Sequence, residues 1–319
     1  MSITAPFILS DVATDDESFV YIFAHGLAST WLQGLSTFTR LSSLASNAIY
    51  NPHWMLKNPV ILFNFPDAKN DNKIEWHAHQ VNLGQEHDIA ALAEAYNYAV
   101  ANFPGRSIVL GGVSRGASTI VNFVATAQPK NVKALILESP FDSFNSVVKH
   151  LLHQFYLGWI PFSDNLAMKY MEHMFPRINI KGIVPQLVVH TISHEIPILF
   201  LHSKIDKTVP INASRNLYMK LRLAGHTNVH IFELETGHHA RLLKGTEGYL
   251  CHTIIHSFLK KYGLPHDIKA AENGFHFFLR YCQPSLEEIK KKIKQYRSPS
   301  LTQYIPDDVL LDNIEIDLV

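Results

Sequence analysis

Gly112-Val113-Ser114-Arg115-Gly116 fits the pattern G-x-S-x-G. As a bare pattern it is weak. Here an apolar run, Ser107 to Gly111, leads into it, and a stretch rich in small and β-branched residues follows. The serine is therefore expected on a tight, strained strand-to-helix turn. Glycines at 112 and 116 remove Cβ atoms that would clash where strand and helix approach. Such a turn lifts Ser114 Oγ clear of a sheet and sets it at a helix N-terminus, which favours developing negative charge.

A serine hydroxyl needs a base, and the base needs a carboxylate to orient it. Both follow in the order Ser…Asp…His. Asp206 lies in Leu201-His202-Ser203-Lys204-Ile205-Asp206-Lys207-Thr208-Val209-Pro210, a few residues past another apolar run. The next run ends in Leu234-Glu235-Thr236-Gly237-His238-His239. His238 is the expected base, because Gly237 lets the loop turn sharply towards the centre, and His239 then starts the next helix. Glu138 and Asp142 rank second as acids and read as gating or structural groups.

Acyl transfer also needs preformed N–H donors for an oxyanion. One is expected from the backbone of Arg115, the residue after the serine. The other is expected from Leu27, in His25-Gly26-Leu27-Ala28-Ser29, where Gly26 allows close backbone approach. His25 itself reads as structural.

These residues sit at the ends of a regular series of elements. Strands are expected at Phe19 to Ala24, Val60 to Phe65, Ser107 to Gly111, Ala134 to Leu137, Ile198 to His202 and Val229 to Phe232. Helices are expected over about Asp88 to Phe103, from the spacing of Ile89, Leu92, Ala93, Tyr96 and Val100, and over Ser114 to Ala127. The strands are near-continuous apolar runs, as in parallel strands covered on both faces. Alternation with helices implies one doubly wound, mostly parallel α/β sheet.

Two regions break the rhythm. Asn145 to Glu195 is too long for a simple crossover and is rich in Leu, Phe, Met, Trp and Tyr, so it is expected to form an inserted helical cap. Trp159, Phe162 and Met171 are its candidate substrate-binding residues, although core packing should claim most of its apolar side chains. Leu264 to Val319 is the second region. It carries a basic helix candidate, Leu286 to Tyr296, and a tail that alternates acidic and apolar residues from Asp307 to Asp317. The domain reading is a core of residues 1–264, with its cap at about 145–195, and an extension of unknown role over 265–319. The tail is a candidate surface for a protein partner.

Composition narrows the function classes. The chain has 319 residues, of which 47% are hydrophobic, ample for a large buried core. Lys plus Arg and Asp plus Glu number 28 each, so the net charge is zero. That balance gives no support to nucleic-acid binding, which draws on a basic excess. The two cysteines, Cys251 and Cys282, are too few for a disulfide framework and read as reduced thiols. Trp76-His77-Ala78-His79 does not match a metal-ligand pattern, and no metal is expected. The N-terminus lacks the features of a signal peptide, and no apolar run reaches membrane-spanning length, so a cytoplasmic location is expected.

Together, His25-Gly26, Gly112 to Gly116, Leu137-Glu138-Ser139-Pro140-Phe141, Pro197 through Asp206 and Val209-Pro210, and Gly237-His238-His239 resemble an α/β-hydrolase. The chain is most similar to the serine aminopeptidase-like and prolyl-oligopeptidase-like branches, over roughly residues 19–263. The resemblance implies a Ser114-His238-Asp206 triad that needs no cofactor. It departs at the start, where the family usually has two more antiparallel strands than the 18 residues before Phe19 can supply in full. With the apolar cap, the expected activity is hydrolysis of a carboxylic ester or thioester with a hydrophobic acyl group. The competing readings are a peptidase anchored by an acid such as Glu172 or Glu195, an acyltransferase on the same residues, and a non-catalytic protein that binds a partner through its tail.

Overall fold

The computed structural model describes residues 7–8, 19–30, 58–69, 75–76, 78–240, 242 and 247–282. The basic helix candidate, the acidic tail and His77 lie outside them.

Seven strands form the main sheet: β1 (Phe7–Ile8), β2 (Val20–Ala24), β3 (Val60–Leu62), β6 (Ile108–Val113), β7 (Val132–Glu138), β8 (Ile198–Ser203) and β9 (Val229–Leu234). A separate two-stranded ribbon pairs β4 (Ala68–Lys69) with β5 (Glu75–Trp76). The order in the main sheet is β1-β3-β2-β6-β7-β8-β9, with every pairing parallel except β1 against β3. Among the described residues, the antiparallel opening expected from the resemblance is reduced to the two residues of β1.

The parallel strands are buried on both faces, which explains their unbroken apolar runs. Alternation along each strand divides the core. Val20, Ile22 and Ala24 face a layer containing α1 (Glu86–Asn102), α2 (Arg115–Ala127) and α6 (Ile211–Leu223). Phe19, Tyr21 and Phe23 face the other layer, with α7 (Gly248–Lys261) and α8 (Ile268–Cys282). Phe275 and Phe278 of α8 lie in that second cluster, so this helix packs on the core.

Between β7 and β8 the chain forms the expected helical insertion: α3 (Phe144–Gln154), α4 (Ser163–Met174) and the short α5 (Pro185–Val188). Ser143 starts α3 by accepting the Ser146 N–H on its hydroxyl at 3.2 Å. A third apolar cluster, including Val81, Phe141, Phe144, Val184 and Val209, seats the insertion on the body.

Candidate active site

Parallel strands deliver their carboxyl ends to one edge of the sheet. The register aligns Ala24 with Gly112, Val113 with Glu138, Glu138 with Leu201, and Ser203 with Leu234. The loops after β2, β6, β8 and β9 therefore open on the same edge, the usual place for a site in such a sheet.

Ser114 occupies the turn between β6 and α2 with φ +52° and ψ −114°, a conformation a non-glycine residue adopts only under strain. Its neighbours make that turn possible. A Cβ on Gly116 would stand 2.0 Å from the Ala24 carbonyl oxygen, so the first turn of α2 is pressed against the end of β2. A Cβ on Gly112 would meet the Ala117 nitrogen at 2.8 Å. The Ser114 N–H donates to the Glu138 carbonyl at 2.8 Å, which ties the elbow to β7.

His239 joins the serine to the acid. Its Nε2 lies 2.8 Å from Ser114 Oγ, and its Nδ1 lies 2.7 Å from Asp206 Oδ2. An ionised carboxylate accepts only, so Nδ1 carries the hydrogen, and Nε2 is left to accept from the serine hydroxyl. Asp206 is buried, and its other oxygen accepts the N–H groups of Thr208 at 2.8 Å and Val209 at 3.0 Å. Burial works to raise its pKa, but the hydrogen bonds from His202 and His239 outweigh it and hold the carboxyl well below the usual range. The acid is thus ionised at neutral pH.

The expectation of His238 is corrected here. His238 is exposed, and its neighbour is the one that meets Ser114 and Asp206. Gly237 takes φ +110° and makes the predicted turn. In the non-helical segment that follows, successive side chains point to opposite sides, so only one of two adjacent histidines can face inward. Nor does His239 open a helix. Residues 239–240 form a turn, and α7 begins at Gly248.

Three groups that sequence reading did not connect hold this arrangement. His202, fully buried at the end of β8, places Nδ1 2.7 Å from Ser214 Oγ and Nε2 3.1 Å from the Val209 carbonyl. The same Nε2 lies 3.4 Å from Asp206 Oδ2. His150 of α3 reaches the Asp206 carbonyl at 3.2 Å. Glu138 Oε1 accepts the Leu242 N–H at 3.2 Å, just beyond His239 in the chain. The His202 signal was present in the sequence, four residues before Asp206, but its burial is a tertiary fact. Asp142, the other second-ranked acid, accepts from Ser146 and from Asn216 at 2.6 Å and joins α3 to α6.

Arg115 has two separable parts. Its backbone opens α2 directly after Ser114. Its side chain is fully buried beneath the elbow, where Nε and Nη2 meet Asp88 at 2.6 and 2.5 Å and Nη2 meets Asp67 at 2.5 Å. The guanidinium also lies 4.4 Å from the Phe65 ring centre. Burial opposes its charge, but Asp88 and Asp67 outweigh burial and raise its pKa.

Leu27 lies in the turn after β2 and is exposed. Before it, His25 donates from Nδ1 to the Gly26 carbonyl at 2.8 Å and accepts the Phe65 N–H on Nε2 at 3.1 Å. His25 is therefore structural. Burial pushes its pKa down to about 4, which keeps it neutral.

The candidate substrate-binding residues divide. Met171 is half-buried against the third apolar cluster. Trp159 and Phe162 are 80% and 78% exposed, so neither lines an enclosed pocket. The expectation that packing would claim most of the cap is likewise corrected for Phe155 to Phe162, whose residues are all exposed. The backbone is left-handed at Tyr156 (φ +58°) and Phe162 (φ +62°), near the two ends of this segment.

Among solved structures the fold has clear counterparts. An esterase of Pyrococcus furiosus superimposes with a TM-score of 0.53 at 14% identity, covering 77% of this chain and 82% of the esterase. An acylaminoacyl peptidase of Pyrococcus horikoshii superimposes with a TM-score of 0.50 at 16% identity, covering 75% of this chain and 36% of the peptidase. No family model and no curated protein sequence matches the chain. The chain has the α/β-hydrolase fold. Among the described residues, no helix is long and apolar enough to cross a membrane.

Proposed function

We propose that this protein is a serine hydrolase that cleaves a carboxylic ester or thioester with an apolar acyl group. The observation that carries the reading is the chain of contacts from Ser114 Oγ through His239 to Asp206. Ser114 Oγ attacks the acyl carbon while His239 Nε2 takes the hydroxyl proton. Asp206 fixes the imidazole and balances its charge. The oxygen that gains the negative charge is held by the N–H groups of Arg115 and Leu27. The tetrahedral intermediate collapses, the C–O or C–S bond breaks, and His239 returns the proton to the leaving alcohol or thiol. Water, deprotonated by His239, then attacks the acyl-serine and releases the acid.

The esterase of like fold supports this reading by analogy alone. The peptidase reading has less support, because both acids suggested as anchors, Glu172 and Glu195, are exposed. An acyltransferase would differ only in the final acceptor.

The test is labelling by a fluorophosphonate probe, with turnover of p-nitrophenyl esters of increasing chain length. Wild type should label and turn over, and Ser114→Ala should do neither. A folded wild type that does not label between mildly acid and alkaline pH would remove the proposal. Hydroxylamine or alcohol acceptors that divert the acyl group faster than water would redirect it to transfer.

A further inference from the structure

The two N–H groups that the proposed mechanism sets around the oxyanion come from separate loops, and one buried segment touches both. That segment is the turn after β3, Phe65 to Asp67, closed by the Ala68 N–H donating to the Phe65 carbonyl at 2.9 Å. Phe65 and Asp67 are both buried.

Contact with the first loop runs through His25. The Phe65 N–H donates to His25 Nε2 at 3.1 Å, and the two rings pack edge to face with centres 4.8 Å apart. With Nε2 accepting, Nδ1 carries the hydrogen of the neutral ring and donates it to the Gly26 carbonyl at 2.8 Å. The Gly26 carbonyl and the Leu27 N–H belong to one planar trans peptide and point in opposite directions. With the carbonyl held by a fully buried ring, the Leu27 N–H is directed away from the interior.

Contact with the second loop runs through the Arg115 side chain. Its guanidinium lies 4.4 Å from the Phe65 ring centre, and Nη2 meets Asp67 Oδ1 at 2.5 Å. The residue whose N–H follows Ser114 is thus anchored by its own side chain to the segment that orients the Gly26–Leu27 peptide. The two loops also meet directly, since a Cβ on Gly116 would stand 2.7 Å from the His25 carbonyl oxygen.

Stability does not account for Asp67. Arg115 already makes its fork of two hydrogen bonds to Asp88, through Nε at 2.6 Å and Nη2 at 2.5 Å. One guanidinium therefore faces two buried carboxylates, and a second carboxylate that shares a cation recovers little of its desolvation. What Asp67 adds is a link. Asp88 joins Arg115 to α1, whereas Asp67 joins it to the turn after β3.

We infer that Asp67 is a positioning residue: through Arg115, and through the Phe65–His25 contact beside it, it fixes the Arg115 and Leu27 N–H groups relative to each other and so sets how strongly the tetrahedral oxyanion is held, a role that rests on the proposed function.

Asp67→Ala leaves Arg115 with Asp88, one cation to one anion, so the fold should survive. Its kcat for p-nitrophenyl butyrate, per serine titrated to completion with a fluorophosphonate, should fall about tenfold to a hundredfold, less than the loss of a whole donor. KM should stay within about twofold of wild type. An alkyl trifluoromethyl ketone adds reversibly to a nucleophilic serine and places an oxyanion where the tetrahedral intermediate has one. Its inhibition constant should rise by the factor that kcat falls, a change that loss of stability alone does not produce. Asp67→Asn keeps an acceptor for Nη2 and should recover most of both. Phe65→Leu removes the ring beside the guanidinium but keeps the N–H to His25, and should give the same split with a smaller amplitude. If Asp67→Ala fails to fold, Phe65→Leu carries the same reading. Wild-type kcat and inhibition constant in the folded variants overturn the inference and leave the proposed function standing. So does a rise in KM with kcat unchanged, which would place Asp67 in substrate binding. A wild type that neither labels nor turns over removes the proposed function, and the role of Asp67 with it.

Discussion

His202 Nε2 stands 3.4 Å from Asp206 Oδ2, the oxygen that also receives His239 Nδ1 at 2.7 Å. The carboxylate that orients one histidine is thus itself flanked by a second, fully buried one. Ser214 Oγ, 2.7 Å from His202 Nδ1, and the Val209 carbonyl, 3.1 Å from Nε2, fix that second ring in the loop that carries Asp206.

From this, His202 is a positioning residue. His202→Ala should lower kcat for a p-nitrophenyl ester by about tenfold or more, the scale of one hydrogen bond to a charged group, with KM nearly unchanged. His202→Gln, whose Nε2 can occupy a similar place, should restore most of the loss. A fall in stability with unchanged kcat for the folded fraction would make His202 structural only.

The adjacent histidines should behave very differently. His239→Ala should reduce kcat by a factor of about a thousand or more, since it removes the group between Ser114 and Asp206. His238→Ala should stay close to wild type, because that side chain is exposed. Steady-state kinetics of the two variants decides it, and equal losses would contradict the observed geometry.

The buried ion group below the elbow bears on stability. Asp88→Ala leaves the Arg115 guanidinium in the interior with Asp67 but without its fork of two hydrogen bonds, and it also removes the acceptor of the Gly84 N–H at 2.6 Å. Breaking a buried pair on one side costs about 3–5 kcal/mol. Urea unfolding should show a fall of that order, and a change below about 1 kcal/mol would mean that water or a shifted side chain takes over the pairing.

Mild acid should weaken the fold. Burial lowers the pKa of His25 and His230 to about 4 and that of His252 to about 3. The unfolded chain takes up these protons from about 6.5 downwards, and the folded chain does not until far lower. Their contribution is therefore fully present above about 6.5 and is lost as pH falls towards 4, by up to about 1.4 kcal/mol per pH unit for each group. Asp206, held low when folded, adds a further loss below about 4. Urea midpoints measured across this range should decline steadily. His230→Gln, which can keep the contact to Tyr262 Oη at 2.6 Å, should make the decline shallower.

The sequence determined the parts of this protein that depend on neighbours along the chain. Unbroken apolar runs such as Val20 to Ala24 and Ile108 to Val113 announce strands buried on both faces, because no alternation survives when both sides are covered. The glycines around Ser114 announce a tight turn, because only they tolerate its close approaches. Asp206 and the histidine pair each follow an apolar run in the sequence, and parallel strands bring all their carboxyl ends to one side. Tertiary structure decided the rest. His238 and His239 are chemically identical and adjacent, and the direction of the chain after Gly237 selects between them. The partners of Arg115 come from residues 27 and 48 positions earlier, a pairing no local pattern encodes. The apolar residues of the cap were legible as apolar, but hydrophobicity states only that a side chain gains by leaving water. That Trp159 stays exposed while Met171 packs against the core is settled only by the folded path of the insertion.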